Sequence, residues 1–122
     1  MQPISGTVIK GLGNGKSRAF ATINLDPALW PAGQARGVYA ALVKVGQQQY
    51  LGALFFGPRA VLAEETDVLE VHLLDCSGDL YGQTVDIELK EFIRGVKHFT
   101  SFAELKQQIA ADISAVRRCL SD

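Results

Sequence analysis

The sequence predicts a mainly β domain, an antiparallel barrel or sandwich of short strands with one C-terminal helix. Apolar β-formers gather in short runs joined by short connections, which favours antiparallel pairing over strand–helix–strand units. After about residue 100 the apolar spacing changes from the alternation of strands to the three-and-four rhythm of a helix. With 122 residues, 48% hydrophobic and 20% charged, the chain can fill one packed core and has little length for a second.

Ile4–Ile9 is the first and shortest candidate strand. Gly11 to Asn24 follows, glycine-rich and basic at first and then mixed, and matches neither a strand nor a helix pattern. Val38–Val45 and Tyr50–Phe56 are strands separated by Gly46-Gln47-Gln48-Gln49, which reads as a hairpin loop. Phe56 to Asp67, with Gly57-Pro58 and then Ala60–Glu65, is an irregular loop or a short helical turn. Val68–Leu74 and Thr84–Phe92 complete the β-rich part, with the turn-prone Ser77-Gly78-Asp79 between them.

Phe102, Leu105, Ile109, Ile113, Val116 and Leu120 then share one helical face. Ser101, with Glu104 three residues on, is a capping-box pattern, and Arg117 and Arg118 complement the dipole at the other end. No repeat, low-complexity tract or linker interrupts the chain, which is expected to be a single domain over residues 1–122.

Charge narrows the partners. The net charge is −1, from 12 basic and 13 acidic residues, with no long basic run, so nucleic acid is not an expected partner. No apolar stretch approaches the roughly 20 residues of a membrane span. Met1 to Gly6 lacks the features of a secretory signal. Cys76 and Cys119 stand far apart without a metal-binding spacing, as in a reducing compartment. By elimination the expected location is cytoplasmic. No interface pattern stands out, and a monomer is expected.

Four segments could carry chemistry. Gly11, Gly13 and Gly15 alternate ahead of Lys16, Ser17 and Arg18, so backbone amides and cations could approach a phosphate. The full P-loop spacing is absent, and the same residues also describe a glycine-rich connection. Thr22 and Asn24, two apart, would project from one face of an extended segment as oxygen donors of the kind Mg²⁺ accepts. Such residues also commonly bond only to local backbone. Glu70 and His72 share a face opposite Leu69, Val71 and Leu73, and suit proton abstraction from a hydroxyl. A solvated strand face would look the same. Arg94, Lys97 and Phe99 lie between the last strand and the helix, in a basic, aromatic-flanked loop able to close over a ligand.

In order, these segments resemble the ATP-dependent riboflavin kinases. The likeness runs from Gly6-Thr7-Val8 through Thr22-Ile23-Asn24-Leu25 and Gly37-Val38-Tyr39-Ala40. It is most specific at Glu70-Val71-His72-Leu73-Leu74-Asp75 followed by Gly78-Asp79-Leu80-Tyr81-Gly82. It ends at Phe92-Ile93-Arg94, Phe99, Glu104-Leu105 and Asp112, and so spans nearly the whole chain.

The resemblance implies a six-stranded antiparallel Greek-key barrel with the helix packed on it. The implied reaction is transfer of the ATP γ-phosphate to the 5′-hydroxyl of riboflavin, giving FMN and ADP with Mg²⁺. On this likeness Glu70 is the base, and Thr22 and Asn24 hold Mg²⁺. Gly11, Gly13, Gly15, Lys16, Thr22 and Tyr81 serve ATP, while Arg94, Lys97 and Phe99 serve the flavin.

The chain departs from the family pattern at several points. Ala21 stands where the family usually has proline, ahead of Thr22-Ile23-Asn24. Arg18-Ala19 replaces a usual leucine-glycine, and Phe55 to Val61 replaces an Asn-Ile-Gly…Pro-Thr stretch. Gly95-Val96 replaces proline and glutamate. A flavin- or nucleotide-binding module without turnover is therefore the alternative. Many bacterial members also carry an adenylyltransferase domain that makes FAD; nothing in these residues corresponds to it, and no FAD synthesis is expected.

Overall fold

Alternation along the chain decides what each strand buries. In a computed structural model, which describes residues 3–9, 20–58, 66–76 and 80–120, the apolar runs form six strands. They are β1 (Ile4–Thr7), β2 (Phe20–Leu25), β3 (Gly37–Val45), β4 (Gln48–Pro58), β5 (Asp67–Leu74) and β6 (Thr84–Arg94). One helix, α1 (Phe102–Leu120), follows. The glycine-rich residues 10–19 and the segment 59–65 lie outside the described residues.

All pairings are antiparallel, in the order β1-β6-β3-β4-β5-β2. β3, β4 and β5 form a meander and β6 returns beside β3, the definition of a Greek key. The two outer strands approach each other through Ile9, whose N–H donates to the Asn24 carbonyl at 2.8 Å. That bridge curls the sheet toward a barrel and covers part of two edges that would otherwise be open.

The large core fills the concave side. Ile23, Tyr39, Leu54, Val71, Leu73 and Val85 are all within 1% of complete burial there. Tyr39 keeps its hydroxyl satisfied by donating to the Ala35 carbonyl at 2.7 Å and accepting from Gln34 Nε2 at 2.9 Å. Trp30 stacks on Phe56 with centroids 4.7 Å apart and donates its indole N–H to the Gln34 carbonyl. A second, smaller core lies on the opposite side of the sheet, where Val116 of α1 meets Ala40, Ala53 and Leu74. The two alanines leave room for the helix to come close.

Three local differences from the sequence expectation have physical causes. β2 is a full strand, because Ala21, Ile23 and Leu25 alternate inward, although the pattern is only a few residues long beside a glycine-rich stretch. The β3/β4 turn tightens to Gly46-Gln47, with Gly46 at φ +61°, the left-handed backbone that two-residue hairpins require. β4 continues through Gly57-Pro58 to pair with β5, its proline confined to the strand end.

The helix start also differs in detail. Ser101 Oγ accepts from the Glu104 N–H at 3.2 Å, but the Glu104 carboxylate turns to Thr100, whose hydroxyl donates at 2.9 Å. One half of the capping box forms, and the other half moves one residue back.

Candidate active site

The site is built by strand register on the face turned away from the large core. In the β2/β5 pairing Thr22 stands opposite His72 and Asn24 opposite Glu70, so two same-facing pairs from distant parts of the chain become one polar patch. Thr22 Oγ1 lies 3.0 Å from His72 Nδ1. All four side chains are half-buried, flanked along each strand by fully buried apolar neighbours.

The row continues across the sheet. Glu70 stands opposite Phe55 of β4, Phe55 opposite Val38 of β3, and Val38 opposite Arg94 of β6. Asn24, Glu70, Phe55, Val38 and Arg94 therefore form a line from one edge strand inward, polar at both ends and apolar in the middle. The sequence expectation contained the ends and missed Phe55 and Val38, which carry no chemical signature of their own.

Arg94 reaches this face because β6 is irregular. Register shifts against β3, between Val38 and Tyr39 and between Ala40 and Ala41, turn Ile93 and Arg94 both toward α1. There the Arg94 guanidinium donates Nε and Nη2 to Asp112, both at 2.8 Å, and Nη1 to the Gly95 carbonyl at 2.9 Å. Asp112 is 5% exposed and also accepts from Gln108 Nε2 at 3.0 Å. Arg94 is thus a strut between the last strand and the helix, placed where the following loop begins.

Lys97 donates to Gln108 Oε1 at 3.3 Å and Phe99 is half-buried, which ties that loop to the same helix. Its root is close-packed: a Cβ at Gly37 would fall 2.2 Å from the Arg94 carbonyl oxygen, and one at Gly57 3.1 Å from Val96.

Tyr81 lies on the turn before β6 and is 55% exposed. Its neighbour Gly82 donates to the Val8 carbonyl, and Ile9 donates to Asn24, so the turn is laced to the Asn24 end of the patch. Gly11, Gly13, Gly15 and Lys16 lie outside the described residues.

Electrostatics separate the two strand-face residues of β5. Burial pushes the His72 imidazole down to about 4, with the charge of Asp112 pulling weakly the other way. The ring is neutral at physiological pH, which makes it a hydrogen-bonding group and leaves Glu70 as the carboxylate base candidate of the pair.

Among the described residues no three His, Cys, Asp or Glu gather to cage a metal. Thr22 and Asn24 offer neutral oxygens beside a single carboxylate. That donor set fits Mg²⁺, which keeps much of its water and takes its remaining ligands from phosphates. Among the described residues no helix is long and apolar enough to cross a membrane.

Comparison with known proteins identifies the family of the chain. The family model described as "Flavokinase: Riboflavin kinase" matches residues 2–120. The RNA-binding riboflavin kinase RibR of Bacillus subtilis is 34% identical over 119 residues, covering 97% of this chain and 51% of that protein. The bifunctional riboflavin kinase/FMN adenylyltransferase of Escherichia coli K12 is 38% identical over 110 residues, covering 89% of this chain and 35% of that one. Among solved structures, one described as a macrolide-efflux protein from Streptococcus pneumoniae superposes with a TM-score of 0.77 at 30% identity. It covers 94% of this chain and 38% of its own. The chain thus spans about half or less of the length of these relatives. With the family model matched almost from end to end, the chain belongs to the riboflavin kinase family.

Proposed function

We propose that this chain phosphorylates riboflavin, transferring the γ-phosphate of ATP to the 5′-hydroxyl to give FMN and ADP. The observation that carries the reading is the β2/β5 register, which sets Asn24 opposite Glu70 and Thr22 opposite His72 within a chain matched by the family model over residues 2–120.

Phosphoryl transfer asks a protein chiefly to position two oxygens in line with phosphorus and to offset the phosphate charge. Glu70 takes the proton of the attacking hydroxyl as the new O–P bond forms and the bond to the β-phosphate oxygen breaks. Thr22 and Asn24 would hold Mg²⁺, which when bound neutralises phosphate charge. Gly11, Gly13, Gly15 and Lys16 offer amides and a cation to the phosphates, and Tyr81 lines the nucleotide side. Arg94, through Asp112, holds the root of the loop that presents Lys97 and Phe99 to the flavin. Phe55, half-buried and backed by the buried Val38, supplies an apolar surface between that loop and Glu70, suited to a flat ring.

The test is to incubate the chain with riboflavin, ATP and Mg²⁺ and separate the flavins. A Mg²⁺-dependent FMN peak is expected, and Glu70→Gln should lower its rate by about 100-fold or more while nucleotide binding persists. Undiminished turnover in Glu70→Gln would remove it as the base. Absence of FMN from the wild-type chain would overturn the kinase.

A further inference from the structure

The contact between Thr22 and His72 has a chemical direction. The geometry points to His72 as a positioning residue, whose Nδ1 accepts the Thr22 hydroxyl proton and so fixes Thr22 as an oxygen donor toward a cation. This rests on the kinase reading and deepens it.

A threonine hydroxyl has one proton and two lone pairs, and the proton rotates to the best acceptor in reach. Beside a polyphosphate the strongest acceptors are phosphate oxygens. Left to itself, Thr22 would then act as one more phosphate donor rather than as a cation ligand. A fixed nitrogen 3.0 Å away gives the proton a standing partner on the sheet and leaves the lone pairs for a cation.

His72 is well placed to be fixed. It stands opposite Thr22 on one side and opposite Ala53 on the other. Ala53 is 2% exposed and its methyl group is part of the small core under α1. An imidazole with one ring proton presents one bare nitrogen as an acceptor, and Nδ1 is the ring atom that lies 3.0 Å from the hydroxyl. With Nδ1 accepting, the ring proton belongs to Nε2.

The reading is tested without turnover, by titrating Mg²⁺ at fixed ADP and following thermal protection of the chain. His72→Leu should raise the Mg²⁺ midpoint about five- to tenfold, the equivalent of one neutral hydrogen bond, with FMN binding alone unchanged. His72→Asn, whose amide oxygen falls where Nδ1 sits, should recover the wild-type midpoint to within about twofold. His72→Gln, which reaches the Nε2 position instead, should not recover it. If His72→Leu does not fold, the contrast between Asn and Gln carries the test. Thr22→Val combined with His72→Leu should be no worse than Thr22→Val alone, since both remove one interaction.

A wild-type midpoint in His72→Leu, or equal impairment in the Asn and Gln variants, overturns the inference. If the wild-type chain makes FMN in that case, only the role of His72 falls. If it makes none and ADP protection does not depend on Mg²⁺, the kinase reading falls with it.

Discussion

Asn24 and Glu70 show what kind of information a residue carries and what kind it lacks. Each pair of same-facing polar residues, Thr22 with Asn24 and Glu70 with His72, is legible from spacing of two in an extended chain. Their meeting is not, because register is a property of two strands, and no residue in either announces its partner. The resemblance to a family supplied the shared role that spacing could not. Asn24→Ala tests that role at the residue itself. Its side chain leaves the site while its backbone carbonyl still accepts from Ile9. The Mg²⁺ concentration for half-maximal FMN formation should rise about tenfold, with the rate at saturating Mg²⁺ affected less. An identical Mg²⁺ curve would contradict a ligand role.

At the scale of elements, periodicity found α1 and the central strands and missed β2, whose inward triplet is too short to outweigh the glycines before it. It also missed the bends of β6, since a bulge is a relation between strands. The Arg94–Asp112 pair depends on those bends. Both partners are nearly buried, with side chains 16% and 7% exposed, so Asp112→Ala strands a guanidinium beneath the helix. A loss of about 3 kcal/mol in urea unfolding is expected, against little change for an exposed pair. Asp75 is such an exposed case, bonded to Arg117 at 3.0 Å through both oxygens and joining the end of β5 to α1. The Arg117 hydrogen bonds and charge hold its carboxyl below the ordinary carboxylate range. The stability it contributes is therefore present above that range and is lost as acid protonates it. Asp75→Asn tolerates the native φ of +58° while removing the charge. Its urea midpoint should fall slightly below wild type at about pH 7, and the two should converge as acid takes the pH below the ordinary carboxylate range. A constant gap would mean that the charge is not the cause.

At the scale of the whole molecule, a β-rich domain with a terminal helix was legible from composition and rhythm, while the six-stranded Greek-key order entered only with the resemblance. Long-range pairing is invisible to local pattern, and the bridge from Ile9 to Asn24 is a single contact between remote strands. The resulting barrel has one large core, and Trp30, the lone tryptophan, stacks against Phe56 and meets Tyr39 edge-on at 5.4 Å. Its fluorescence and far-UV circular dichroism should therefore report one coincident urea transition. Separated midpoints would mean that the sheet and its aromatic end unfold independently. The two faces of β5 have a further meaning for how such a protein can change. Leu69, Val71 and Leu73 belong to the large core, while Glu70 and His72 face away from it beside Asn24 and Thr22, on the proposed ligand side. A saturation library scored once for abundance and once for FMN output should alternate residue by residue between two kinds of failure, scarcity at the first set and idleness at the second. Lineages could then rewrite the chemistry on alternate letters of a single strand while selection on folding reads only the letters between.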